Sequence, residues 1–568
     1  MRRKGDGAFL LLVLAVAVFT LGLTFYFTGP AQFESVVYVD GSGSAVDESE
    51  TIASISGSEF LSSPEEEEAD AATAGGGLLQ EAVALRRRGM IHRAIGTLRD
   101  GLASRPDNPE LMSELGSALI TAGEHTEAIE LLLQTVELAP DDARAFYNLG
   151  VALSGSGDAV GSLEAFREAI ALRPNYARAL YNAGMAALKI EDFETAKQMF
   201  MQASTVERSA RSARTWFQLG SLYAREDRRA ESVAAYREAI RLRPGYVEAR
   251  NNLALELDQN GEAAEAMAEL ERAARLEPGR ASVQYNLGRL YRDAGRLEEA
   301  SVRFGLATAS DPSMFRAFEL HAEVLEGLGR HRELADTLEE MAVLRPDDGS
   351  ICRRLGSEYR ELRRYVESRS WLERALDLDP RLPDAWNELG IVLARTGEDR
   401  AALEAYHHAL QLEPDRMSTR YNQGLALERL EQWDQAAQSF ERVLDQEPGH
   451  LDAREHLMDV ILASGDTEQA VIEAGRLESL ARDRPDVLRS IARVYSRSGR
   501  PDLASKALQR SLELEPDNDV ALFNLGVAYS KLDRYEDAIP IYEQFLARRP
   551  DHVNARRYLE RARRKVKP

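Results

Sequence analysis

Side-chain amides recur in this chain at a fixed interval. Asn148, Asn182, Gln218, Asn252 and Asn286 follow one another at steps of 34 or 36 residues, and Asn422 and Asn524 resume the series further on. A primary amide carries two donors and an acceptor, so a spaced row can pair with the backbone of an extended peptide whatever its side chains. Four residues before three of these amides stand Arg144, Arg178 and Arg214. Residues four apart share a helix face, and guanidinium pairs bidentately with carboxylate. A face carrying both groups would favour an acidic partner. Leu320, Arg354, Glu388, His456 and Ser490 interrupt the series. A plainer reading stays open: the amides are the wording of a repeated packing unit and the arginines ordinary surface charge. Tyr147, Tyr181, Tyr285 and Tyr421, one residue before four such positions, could offer flat contacts or pack between helices.

Other chemistry finds no foothold. The chain has no phosphate-binding G-x-x-x-x-G-K-[ST] loop, no G-x-S-x-G and no H-E-x-x-H. The nine histidines are scattered, and adjacent His407 and His408 would point to different faces of a helix. The one cysteine, Cys352, excludes an intramolecular disulfide and a cysteine-pair zinc site, and is expected in the core. Acidic pairs such as Glu298-Glu299 and Glu339-Glu340 read as solvated helix faces. No catalytic residue, metal, cofactor or small-molecule substrate is therefore expected. The formal net charge of −23 argues against nucleic acid.

What positions the amides is a period. Prolines fall at 106, 140, 174, 244, 278, 312, 346, 380, 414, 448, 516 and 550, most of them 34 residues apart. Such a period means stacked supersecondary units, each contacting mainly its neighbours. Within one unit Phe146, Leu149 and Leu153 recur at helical spacing, Gly157-Asp158 interrupts, and Phe166, Ala169 and Ile170 recur again. That is helix, tight turn, helix. Glycine holds the eighth position in Gly116, Gly150, Gly184, Gly220, Gly288, Gly356, Gly390, Gly424 and Gly526. Glycine costs a helix about 1 kcal/mol relative to alanine, so its recurrence implies close approach of the two helices.

The repeated wording resembles the tetratricopeptide repeat, W-x2-L-G-x2-Y followed by A-x3-F-x2-A and P. One unit carries Trp216, Leu219, Gly220, Tyr223, Tyr236, Ala239 and Pro244, and another Leu287, Gly288, Tyr291, Ala300, Phe304, Ala307 and Pro312. About fourteen repeats start at 75, 109, 143, 177, 213, 247, 281, 315, 349, 383, 417, 451, 485 and 519; the first is degenerate, and the one ending at Arg208 lacks its proline. The resemblance implies an all-α fold, a right-handed α-solenoid or superhelix over 75–552, whose first helices line a groove. The amide series looks like the asparagine ladder of the O-linked N-acetylglucosamine transferases. Some members append a catalytic domain; only 16 residues follow the last repeat here, and none is expected.

The chain ends add expectations of their own. Arg2-Arg3-Lys4 precedes Ala8–Thr28, 21 residues without a charge. As a helix this run spans roughly 31 Å, the thickness of a bilayer core, so residues 1–30 read as a cytoplasmic tip and a single transmembrane anchor; cleavage near Gly29-Pro30-Ala31 is the alternative. The basic side stays cytoplasmic and the repeats cross to the periplasmic or extracytoplasmic side. Residues 31–74 hold 11 acidic residues and no lysine or arginine, the composition of a disordered tether. Residues 553–568 read as a basic helix that caps the array or docks an acidic partner. Pro540 is expected to bend the last second helix. The functional expectation is a membrane-anchored scaffold binding extended peptides or proteins. The alternatives are an accessory subunit that presents substrates to a separate glycosyltransferase, and a structural spacer in an envelope complex.

Overall fold

The computed structural model describes residues 77–206, 209 and 212–566, preceded by the backbone of one short antiparallel pair, β1 (Tyr38–Val39) and β2 (Ala45–Val46). The expected membrane span and, beyond that strand pair, the expected tether lie outside the described residues. Among the described residues no helix is long and apolar enough to cross a membrane.

The chain forms two compact units, one through Ser310 and one from Asp311. Both are built of helix pairs, a first helix A and a second helix B. The A/B pairs of unit 1 are α1 (Gly77–Arg87) and α2 (Ile91–Ser104), α3 (Pro109–Ala122) and α4 (His125–Leu138), α5 (Ala143–Ser156) and α6 (Ala159–Leu172), α7 (Ala177–Lys189) and α8 (Phe193–Val206). They continue with α9 (Ala213–Arg225) and α10 (Arg229–Leu242), α11 (Val247–Gln259) and α12 (Ala263–Leu276), α13 (Ala281–Asp293) and α14 (Leu297–Ser310). Unit 2 begins with α15 (Phe315–Gly327) and α16 (His331–Leu344), α17 (Gly349–Glu361) and α18 (Tyr365–Leu378), α19 (Pro383–Thr396) and α20 (Asp399–Leu412), α21 (Met417–Arg429) and α22 (Trp433–Gln446). It ends with α23 (Leu451–Ser464) and α24 (Thr467–Leu480), α25 (Pro485–Arg497) and α26 (Pro501–Leu514), α27 (Asp519–Lys531) and α28 (Tyr535–Arg548), and a single α29 (Val553–Val566). The helix α28 runs unbroken through Pro540.

One turn geometry joins every A to its B. The fifteenth position of each repeat has a positive φ, held by glycine in nine cases and by Glu191, Asp227, Arg363, Glu431 and Asp533 in the other five. Glycine tolerates this left-handed conformation best, because it has no Cβ to crowd the carbonyl.

The glycines at position 8 have the reason their recurrence implied. A Cβ at Gly150 would lie 2.6 Å from the Phe166 ring, and one at Gly390 would lie 2.4 Å from Tyr406. In three pairs a buried serine of helix B closes the contact by donating to the glycine carbonyl: Ser162 to Gly150 at 2.8 Å, Ser232 to Gly220 at 2.9 Å and Ser368 to Gly356 at 2.6 Å. Cys352 is fully buried among the core residues of unit 2, and burial raises its thiol pKa.

A second recurring device fixes six of the A-type helices to the loop before them. The side chain at position 4 donates to the proline carbonyl six residues earlier. Gln284 reaches Pro278 at 2.8 Å, Trp386 reaches Pro380 at 2.9 Å and Arg454 reaches Pro448 at 3.0 Å. Arg250, Arg420 and Arg556 do the same to Pro244, Pro414 and Pro550.

Candidate peptide-binding face

Within each unit, most successive A helices touch one another, and the side on which they meet is called here the inner face. Positions 2, 5, 6, 9, 12 and 13 of an A helix share it, by the three- and four-residue spacing of helix neighbours. The amides stand at position 6, and most are not free.

Asn148 donates through Nδ2 to the carbonyl oxygen of Ser113 at 3.3 Å and lies 3.4 Å from its Oγ; Asn182 donates to Tyr147 Oη at 3.2 Å. Asn286 donates to Asn251 Oδ1 at 2.8 Å, and in unit 2 Asn422 lies 3.5 Å from Asn387 Oδ1. Each of these partners sits at position 5 of the preceding A helix. Asn252 differs: position 5 before it is Phe217, which has no acceptor, and its Nδ2 instead lies 3.5 Å from the hydroxyl of Tyr236. Five of the seven amides expected to face a peptide thus engage their donor half on a neighbouring residue of the chain. Gln218 is half-buried with no side-chain hydrogen bond, and Asn524 is exposed with none.

Three of the five residues that interrupt the series strap as well, with charge. Arg354 donates to Glu326 at 3.1 Å, Arg353 to Glu388 at 3.0 Å, and His456 Nδ1 lies 2.8 Å from Glu428. Burial alone would lower the His456 pKa, but the Glu428 hydrogen bond and the charges of Glu428, Asp459 and Glu455 outweigh it, so the net shift is upward. His321, in α15 at a place where most repeats have an aliphatic core residue, is lowered to about 4 by burial and by Arg330.

The arginines fare as the amides do. Arg144 donates to Glu114 at 2.6 Å, and Glu114, only 2% exposed, also accepts from Arg86 at 2.9 Å. The expected carboxylate partner of Arg144 is thus one of the chain's own. Arg178 acts electrostatically on Tyr176, and Arg214 on Tyr246; burial raises both phenol pKa values. The tyrosines at position 5 pack between helices: Tyr147 and Tyr285 are buried, and the Tyr147 ring lies 5.0 Å from Tyr176 and 5.7 Å from Phe166.

Two arrangements escaped the sequence reading. Buried Glu473 joins Arg454, at 2.7 Å, to Arg476, at 2.6 Å, and Glu269 joins Arg250 to Arg272 in the same way. The signal was present, since Arg250 and Arg454 share position 4 and Arg272 and Arg476 share position 26. Among the described residues no group of three or more His, Cys, Asp or Glu is arranged to hold a metal ion.

What remains available on the inner face differs along the chain. In unit 1, position 9 is half-exposed and uncharged in four successive A helices, Val151, Met185, Ser221 and Leu255, and the row then meets Arg289, held by Asp258 at 2.9 Å. In unit 2, Val520 and Asn524 of α27 are exposed, and so are Arg557, Arg561 and Lys565 of α29.

Helix pairs stacked in register, with an inner face in each unit and no assembled reactive centre among the described residues, define a helical-repeat protein. The chain belongs to the tetratricopeptide repeat family, whose matches cover residues 79–200, 213–246, 257–324, 350–416, 429–494 and 490–562. It is 22% identical to the BBSome complex member BBS4 of Bos taurus over 249 residues, 44% of this chain and 48% of that protein. It is 25% identical to the protein O-mannosyl-transferase TMTC3 of Homo sapiens over 194 residues, 34% of this chain and 21% of that protein. The chain thus spans at most about half the length of these relatives. Among solved structures, the APC/C hetero-tetramer Cut9-Hcn1 aligns over 88% of this chain and 99% of its own, with a TM-score of 0.32 and 17% identity.

Proposed function

We propose that the chain is a non-catalytic scaffold that holds protein partners, in extended form, along the inner face of its A helices. The observation that carries this reading is the uncharged, half-exposed row Val151, Met185, Ser221 and Leu255. These side chains stand beside straps that already fix the helices beneath them, so a partner meets a preorganised surface. That one relative is by name a member of a protein complex accords with this role.

The test is capture with the full chain. Val151→Gln, Met185→Gln and Leu255→Gln together should remove partners held by this face. Val160→Gln and Val302→Gln, on B helices and 56% and 59% exposed, should leave them bound. An unchanged set of captured proteins from the inner-face variant, with its helical circular dichroism intact, would sink the reading.

A finer part of the proposal keeps the scaffold on a membrane. Residues 8–28 anchor it, residues 31–74 tether it, and the array lies on the periplasmic or extracytoplasmic side. The support is an uncharged run of membrane length beside Arg2-Arg3-Lys4. Protease added outside the cytoplasmic membrane should digest the array, and protection of the array there would reverse the topology. The stretch similar to a protein O-mannosyl-transferase leaves a second reading, an accessory subunit of a separate glycosyltransferase. Capture of one catalytic chain whose activity falls when this protein is deleted would favour it.

A further inference from the structure

The last helix, α29, takes the place of a further A helix. It packs on α28 and α27 through buried Ala555, Leu559 and Ala562, and Tyr558 stacks on Tyr542 at 5.9 Å. Its other side carries Arg557, Arg561 and Lys565, one cation on each of three successive turns, all exposed. These fall at positions 5, 9 and 13, which belong to the inner face.

Three other arginines on that face of unit 2 are answered by a carboxylate of the chain, whereas exposed Arg395 and Arg497, single cations at position 13 of α19 and α25, have no ion pair with a described residue. Arg353 has Glu388 at 3.0 Å, Arg354 has Glu326 at 3.1 Å and Arg493 has Asp459 at 2.7 Å. Arg557, Arg561 and Lys565 have no ion pair or hydrogen bond with any described residue, in a chain whose formal net charge is −23. On the inner face of α27 stand exposed Val520 and half-buried Phe523 beside Asn524, the amide of the series that is exposed and engages no other residue, and at position 13 exposed Lys531 adds a further cation.

We propose that this surface, α29 with the adjoining side of α27, is a docking site for an acidic peptide in extended conformation. The spacing agrees with that form. Residues four apart on a helix are about 6 Å apart along its axis, and alternate side chains of an extended chain are roughly 6.6 Å apart. Carboxylates at every second residue therefore meet the three cations in turn, while Asn524 offers an amide to the peptide backbone and Phe523 and Val520 an apolar flank. Two other polyanions fit less well. The apolar side of α29 is already buried against its own unit, so the helix lacks the face that would enter an anionic membrane. The net negative charge opposes the long phosphate backbone of a nucleic acid.

The inference rests on the reading of the inner face as a partner-binding surface and concerns only its last two A-type helices, so the two fail separately. The probe is a fluorescein-labelled twelve-residue peptide of alternating glutamate and serine, titrated against the full chain by anisotropy. Saturable binding is expected, weakening as salt rises. Arg557→Ser, Arg561→Ser and Lys565→Ser together should lower the affinity about tenfold, the scale expected of three exposed ion pairs. The position-9 variants in unit 1 should bind the probe as the unaltered chain does. Absence of saturable binding, equal binding of a lysine–serine peptide, or equal affinity of the triple variant would overturn the proposal. So would tighter cation-dependent binding of phosphatidylserine vesicles or of an oligonucleotide. Binding seen only after deletion of residues 31–74 would also overturn it, because the occupant would then be the chain's own acidic stretch.

Discussion

Position 6 of the A helices performs one mechanical task with two chemistries. In unit 1, Asn148, Asn182 and Asn286 reach back to the preceding A helix through neutral amides. In unit 2, Arg354, Glu388 and His456 make the same reach through charge. The amide straps and the Glu388 strap land on position 5 of the preceding helix, and those of Arg354 and His456 land on position 12. What the repeat conserves is thus a span between neighbouring helices rather than a functional group. A neutral strap is indifferent to salt and to pH, whereas an exposed charged one is screened by salt and can be titrated. The joints made by Arg354, Glu388 and His456 are accordingly those that solution conditions can tune. Asn422, an amide beside Asn387, is the exception in unit 2, and Glu114 is the exception in unit 1, a charge at position 6 that is buried between two arginines.

That exception gives the largest expected effect. Glu114→Ala leaves the guanidiniums of Arg86 and Arg144 without their buried carboxylate and should cost about 3–5 kcal/mol, the loss typical of breaking a buried pair from one side. Asn286→Ala removes a single donor from a neutral contact and should cost about 1 kcal/mol. Glu326→Ala breaks a pair whose side chains are 32% and 66% exposed, and should cost at most about 1 kcal/mol, less still in high salt. Urea unfolding of the three variants would rank them. Equal losses for Glu114→Ala and Glu326→Ala would erase the distinction between buried and exposed straps.

Much of this architecture was legible, for a physical reason. The prolines and the position-8 glycines punctuate the chain where the backbone or the packing admits little else, as the Gly150–Phe166 and Gly390–Tyr406 contacts make plain. The use of the amides was not legible. Spacing says which residues share a helix face, but not whether an acceptor on the next helix lies within 3 Å. Asn286 finds one in Asn251. Asn524 has Arg489 at the corresponding place, already held by Glu515, and stays open. Gln218 follows the two-residue insertion ahead of α9 and likewise has no strap. The position-4 contacts with proline carbonyls left a periodic trace in Arg250, Arg420, Arg454 and Arg556, but read singly each arginine looks like surface charge. The membrane anchor rests on residues outside those described.

The smallest expected effect is the sharpest test of the comparison, because it turns on one ring nitrogen. His456 stacks on Phe440 at 5.5 Å, meets Tyr421 edge-on at 5.9 Å and bonds Glu428. Its folded-state pKa is raised above the usual 6.5. By linkage its contribution to stability is then full below 6.5 and is lost as pH rises through the folded value. His321 has the opposite sign: its pKa is lowered to about 4, so it contributes fully above 6.5 and less as pH falls toward 4. The two windows lie on either side of 6.5 and can be separated. In His456→Asn the charged strap becomes a neutral one of the unit 1 kind. The decline in urea midpoint above pH 6.5 should then flatten, while the decline below 6.5 stays. A variant that still declines above 6.5 as steeply as the unaltered chain would mean that the α21–α23 joint does not titrate and that charge at position 6 is interchangeable with an amide.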